Sequence, residues 1–175
     1  NQEKIGLEWV DKDIPLAHPL DDGSAAVLHQ SIEATAEQFG GKDAKIYRRI
    51  FEPLLANVET LFADLMAPPQ LPSNPLVAMR FGLEVLRPAS WYVNQRFSEE
   101  PIKALFGGNA AHSVLPLDRP LTTNAIGMML MLACHRVGWP IAKGGASSIT
   151  NALVECFKHF GGEIKTDWHI ELIDE

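Results

Sequence analysis

The sequence predicts a predominantly helical α+β chain with its few strands near the two ends, and three observations carry that prediction. Apolar residues recur at three- and four-residue steps in several stretches, the period of a helix buried on one face. Those stretches are separated by Gly-Gly, Pro-rich and Arg-Pro breaks. Short apolar runs and period-two alternation are confined to the beginning of the chain, before about residue 29, and to its end, from 164 onward. At 175 residues the chain is one domain, or one with a small annex, and it can bury a real core.

Taken in order, residues 5–10 (IGLEWV) form a short strand candidate. Asp21-Asp22-Gly23 then lies between apolar runs, a hairpin signal because glycine accepts the positive φ of such turns. Ser31 is a helix N-cap candidate for a helix reaching Phe39 and stopping at Gly40-Gly41. Residues 43–66 carry Ile46, Ile50, Leu54, Val58, Leu61 and Leu65 at helical spacing, with Pro53 predicting a kink or break near Phe51. The stiff connector Pro68-Pro69-Gln70-Leu71-Pro72 follows. Ser73 or Asn74 opens the next helix with Pro75 at its first position, and Arg87-Pro88 ends it. Residues 90–97 form a short helix, and Ser98 caps another whose first turn holds Glu99, Glu100 and Pro101. That helix is expected to give way around Gly107-Gly108. After a loop with two prolines, Thr122 or Thr123 opens a nearly all-apolar core helix. The stretch 138–173 then reads as Gly144-Gly145, an amphipathic helix over 146–160, a Gly161-Gly162 cap, and extended chain.

Composition excludes several function classes. A net charge of −7 and a pI near 5.3 argue against a general nucleic-acid binder, and the pair Arg48-Arg49 is expected to be a solvated helix face. Cys134 and Cys156 lie in no metal or redox spacing and are expected to be buried free thiols. The longest apolar run, 125–134, falls well short of the ~20 residues of a spanning helix, so a cytoplasmic chain is expected. The first residue, Asn1, suggests a piece of something longer.

No catalytic set assembles itself, and no metal site is expected. The histidines are scattered, with His135 and His159 placed near helix ends as capping or solvated groups. Ser147 and Ser148 do not form a G-x-S-x-G elbow. His112 is either a pocket residue or a polar loop residue. Met128, Met129 and Met131, with Trp91 and other aromatics, suit either a pocket for a large apolar ligand or plain core. The glycines at 144 and 145, opening a helix, let backbone approach a ligand closely and leave amide hydrogens unpaired.

The same stretch carries a resemblance. Gly138-Trp139-Pro140, Gly144-Gly145, Ile149, Ala152-Leu153, Gly161-Gly162-Glu163-Ile164, Thr166, Ile170 and Ile173 follow one another as in phytoene dehydrogenase-like proteins. The upstream run Ala111-His112-Ser113, Pro116, Gly127 and Val137-Gly138 also resembles this family, and His18-Pro19-Leu20-Asp21-Asp22-Gly23 does so more loosely. These are FAD-dependent oxidoreductases related to carotenoid desaturases. The resemblance implies that 1–137 is a helix-rich substrate-binding domain, and that 138–175 returns to an FAD-binding domain. It implies cofactor contacts from Trp139, Pro140, Lys143, Gly144, Gly145 and Ile170, and substrate contacts from Trp91, His112, Met128 and Met129. The sequence contains no G-x-G-x-x-G, so the FAD-binding segments of a parent chain are its expected partners and the isolated chain is expected to be inactive. A hydrophobic small molecule is the implied substrate. Peripheral membrane contact and a dimer through an exposed domain interface are further expectations. The competing expectation is a free-standing, non-enzymatic module that binds an apolar ligand or a partner helix.

Overall fold

The computed structural model describes residues 6–173. Helix makes up 53% of the described residues and strand 7%, a predominantly helical α+β arrangement. It forms two compact units, one of Asp11–Trp139 and one of residues 6–10 with 140–173 among those described.

In the larger unit, β2 (Leu16–Pro19) and β3 (Ala25–Leu28) form an antiparallel hairpin with Leu16 opposite Leu28; the smaller unit supplies β1 (Trp9–Val10), described below. The turn is built as the Asp-Gly signal requires. Asp22 Oδ1 accepts from Ser24 N at 2.9 Å, and Gly23 adopts φ +84°. Ser31 caps α1 (Ile32–Ala36), its Oγ accepting from Ala34 N at 3.2 Å. α1 stops at Ala36 rather than Phe39; Phe39 turns inward, only 5% exposed, and packs against Tyr47.

The helical period of 43–66 resolves into α2 (Gly41–Leu55) and α3 (Val58–Met66), with Pro53 inside α2 and the break at Ala56-Asn57 instead of near Phe51. Pro53 offers no N–H to the carbonyl of Arg49, four residues earlier. Arg80 Nη2 donates to that carbonyl at 2.6 Å instead, so α2 survives its proline. Asn74 caps α4 (Pro75–Val85), accepting from Val77 N at 3.3 Å. α5 (Ala89–Arg96) and α6 (Glu100–Ala111) follow.

The start of α6 is capped from a distance. Ser98 and Glu99 donate their backbone N–H groups to Asp43 Oδ2 on α2, both at 2.7 Å. Gly107-Gly108 does not end this helix. Its glycine has a packing use, because a Cβ at Gly108 would lie 1.9 Å from His18 Cε1 of the hairpin. α7 (Thr122–Val137) packs against α2, α4, α5 and α6. Gly127 lets α6 come close, since a Cβ there would sit 3.0 Å from the Phe106 ring. The core gathers Leu28, Phe51, Leu54, Tyr92, Ile102 and Leu132 in one cluster. Cys134 is buried and free, and Cys156 is half-buried and free.

In the smaller unit, β1 pairs antiparallel with β4 (Ile141–Ala142), and α8 (Ser147–His159) follows. Gly161 ends α8 at φ +83°, with its N–H donated to Lys158 O at 2.9 Å. Of the strand expected at 5–10, only Trp9–Val10 is laddered, and Ile5 lies outside the described residues. The expected strand at 164–173 joins no sheet. Period-two alternation makes a strand only where a neighbour takes its backbone groups, and the described part of this unit offers only the short β1–β4 ladder.

Candidate functional site

The smaller unit holds an apolar groove of about 600 Å³ around the turn from β4 into α8. Trp9 and Val10 of β1 form one side, and Pro140, Ile141, Ala142, Ala146 and Ile149 add further apolar lining. Two contacts fix the turn. Lys143 N donates to Glu8 O at 2.9 Å, carrying the β1–β4 pairing one residue further. Ser148 Oγ donates to Lys143 O at 2.7 Å, tying the first turn of α8 back onto the loop.

Between these contacts the chain bends through Gly144 and Gly145, at φ +85° and +95°. Any larger residue is strained there. A Cβ at Gly144 would also meet Ser148 Oγ at 2.9 Å, whereas one at Gly145 would meet open space. Among the described residues no side chain caps the N terminus of α8. Among the described residues Lys143 is the one charged residue of the lining, and its Nζ lies 2.6 Å from Glu8 Oε2. The hydrogen bond that Lys143 donates to Glu8, and then the Glu8 charge, hold the Lys143 ammonium above the ordinary lysine range.

Four of the six residues implied as cofactor contacts therefore meet at one place: Pro140, Lys143, Gly144 and Gly145. Trp139 does not join them, since it is half-buried against the core of the larger unit. Ile170 is 63% exposed on the extended segment and does not line the groove.

The residues implied as substrate contacts do not converge. Met128 is fully buried in the core and Met129 packs partly buried beside it. Trp91 is half-exposed on α5 under the Arg87 guanidinium, whose carbon lies 4.5 Å from the ring centroid. His112 is the exposed C-cap residue of α6. None of the four lines the groove bounded by α2, α4 and α5, the one beside β3 and α1, or the one at the α2–α3 turn. For Met128 the apolar period around a helix meant core.

Two arrangements escaped the sequence reading. His135, expected to be capping or solvated, is only 5% exposed inside the larger unit. Its Nδ1 lies 3.0 Å from Gln30 O, which can only accept, so Nδ1 carries the proton and Nε2 accepts from Tyr47 OH at 2.6 Å. Burial dominates its titration and lowers the imidazole to about 4, against the opposing effect of the backbone carbonyls of Gln30 and His29. Burial likewise pushes the Tyr47 phenol far above its ordinary range. The pair is neutral and locked, which suits a structural pin rather than an acid–base couple. A partner 88 residues away leaves no local signature.

The second arrangement concerns Arg48 and Arg49. Arg48 is half-buried, with Nε donating to Glu33 at 2.6 Å, while Arg49 is exposed as expected and also lines the groove of α2, α4 and α5. No cluster of His, Cys, Asp and Glu suited to a metal ion occurs among the described residues. No helix among them is long and apolar enough to cross a membrane. No family model, curated protein or solved structure matches the chain.

Proposed function

We propose that this chain contributes the substrate domain and one wall of the cofactor site of an FAD-dependent oxidoreductase similar to phytoene dehydrogenases. Its reaction would oxidise or desaturate a hydrophobic small molecule. The observation that carries the reading is the turn at Gly144-Gly145, with two consecutive positive-φ glycines exposed at the mouth of an apolar groove. Such a turn lets a flat ring approach the backbone with no Cβ between them. The groove offers apolar walls but no cluster of cations for a pyrophosphate, so it fits a flavin ring and not the whole dinucleotide.

A second observation supports the incompleteness of this site. The smaller unit buries only Leu7, Ala142 and Ala152 among its described hydrophobic residues. Leu153 and Phe160 of the α8 end are 64% and 81% exposed, and Trp168 and Leu172 are 66% and 76% exposed. Apolar surface on this scale marks an interface. In this reading its occupant is the FAD-binding part of the parent chain.

The bound flavin would supply the hydride acceptor. The residues of this chain would shape and dry the ring site: Ile141 and Ile149 exclude water, Gly144 and Gly145 set the distance of approach, and the Lys143–Glu8 pair closes the polar edge. No side chain here is assigned as an acid or base.

The test expresses the chain within its full reading frame and measures flavin absorbance per protein. Bound flavin is expected at one per chain, falling sharply in Gly145→Val and in Ile149→Glu, with helix content unchanged. The 175-residue chain alone is expected to retain none. A full-length protein that carries no flavin, or variants with undiminished flavin, would refute the proposal.

A further inference from the structure

The groove bounded by α2, α4 and α5, about 560 Å³ in volume, has a charge unlike that of the chain as a whole. Among the described residues Lys42, Arg49, Arg80 and Arg96 line it with a single carboxylate, Glu84, in a protein whose net charge is −7. Arg96 is neutralised where it stands, its Nη2 lying 2.8 Å from Glu84 Oε2. Arg80 is held differently. The carbonyl of Arg49, deprived of its helical donor by Pro53, accepts from Arg80 Nη2 at 2.6 Å. That contact positions the guanidinium and leaves its charge unanswered. Among the described residues, Lys42, Arg49 and Arg80 pair with no carboxylate. Three cations with no counter-charge therefore share one groove.

Apolar groups lie among them. Ile46 and Leu83 line the same groove, and Leu83 is 59% exposed. It belongs to a row on α4, with Leu76, Met79 and the C-cap residue Leu86, that steps by three and four residues along one helix face; each of these is more than half exposed.

We propose that this groove binds the phosphate monoester head of an amphiphile whose apolar chain lies along Ile46 and Leu83. A phosphate monoester carries a charge of roughly −1.5 to −2 near neutral pH, which answers the unpaired cations better than a single carboxylate does. Its oxygens also match the forked donors of Arg49 and Arg80. An apolar chain on the head covers Leu83, which a free phosphate would leave in water. Every lining residue belongs to the larger unit, so the inference does not rest on the flavin reading, and its assay contains no flavin.

The test is titration calorimetry at low salt with two probes, inorganic phosphate and decyl phosphate held below its micelle-forming concentration. Decyl phosphate is expected to bind more than about tenfold more tightly than inorganic phosphate, because burying even a few methylenes supplies that factor. Binding is expected to weaken as salt rises. Arg49→Gln and Lys42→Gln change exposed side chains that hold no structural contact, and each is expected to weaken both probes by about three- to tenfold. Leu83→Gln is expected to shrink the advantage of the decyl chain and leave inorganic phosphate unchanged. Arg80→Gln also removes the contact to α2, so its loss of binding counts only if its melting transition persists. Absence of saturable binding by either probe, or full affinity in the Lys42→Gln/Arg49→Gln double variant, overturns the proposal. Flotation with vesicles containing phosphatidic acid, without binding of monomeric decyl phosphate, overturns it in favour of a membrane surface.

Discussion

Lowering the pH from 7 to 5 is expected to remove about 2 kcal/mol of stability through His135 alone. Its imidazole titrates near 4 in the folded chain, against an ordinary value of 6.5. The depressed group makes the unfolded chain the better proton binder, so stability is fully present above 6.5 and lost as pH falls toward 4. Each unit of pH in that window costs about 1.4 kcal/mol, which gives roughly 2 kcal/mol at pH 5 and about 3 at pH 4. Burial of the imidazole is the main cause. Protonation at Nε2 turns the acceptor of the Tyr47 hydroxyl into a second donor, inside a core where Tyr47 is fully buried. Carboxylates also titrate in acid, but Glu33 and Glu59 are held below their ordinary range by hydrogen bonds to Arg48 and Arg136, so their contribution is lost lower on the scale. Urea unfolding at pH 7, 6 and 5 measures the effect, and His135→Gln isolates it, since the amide can donate to Gln30 O and accept from Tyr47 without titrating. The reasoning fails if wild-type stability at pH 5 is within about 0.5 kcal/mol of its value at pH 7, or if His135→Gln keeps the same slope.

Two further perturbations test how the larger unit is held together. Asp43→Ala removes the acceptor of two backbone donors at the start of α6 and is expected to cost about 2–4 kcal/mol in urea unfolding; a loss under about 0.5 kcal/mol would show that water replaces the cap. Gly108→Ala drives a methyl group into the His18 ring and is expected to cost about 1–3 kcal/mol. Gly107→Ala, whose nearest contact would be Leu117 Cδ1 at 3.9 Å, is expected to be neutral or stabilising by up to about 1 kcal/mol, because alanine favours helix. Equal effects at the two neighbouring glycines would contradict the packing role given to Gly108.

Most of the helices were legible because their signals are local. Ser31 and Asn74 cap the helices they announce, and Asp22-Gly23 turns the hairpin. The errors fall where a distant residue supplies what the local pattern lacks. Arg80 restores the hydrogen bond that Pro53 deletes, and His18 occupies the space that Gly108 vacates. Each turns an apparent helix breaker into an interior residue. The candidate groove was legible in part, since Pro140, Lys143, Gly144 and Gly145 are neighbours in sequence. Trp9 and Val10 were not, because a two-residue ladder gives no pairing signal. The cationic groove lay beyond sequence reading altogether, as its members come from three helices spanning residues 42–96.

The central claim is that the turn after β4 is a wall of a flavin site. Photolabelling of the full-length protein with an azido-flavin, followed by peptide mapping, tests it most directly. The account predicts adducts concentrated in residues 140–149, on the lining of the smaller unit's groove, and their loss when unmodified FAD is added in excess. Saturable labelling that falls elsewhere and leaves 140–149 unmodified would contradict it.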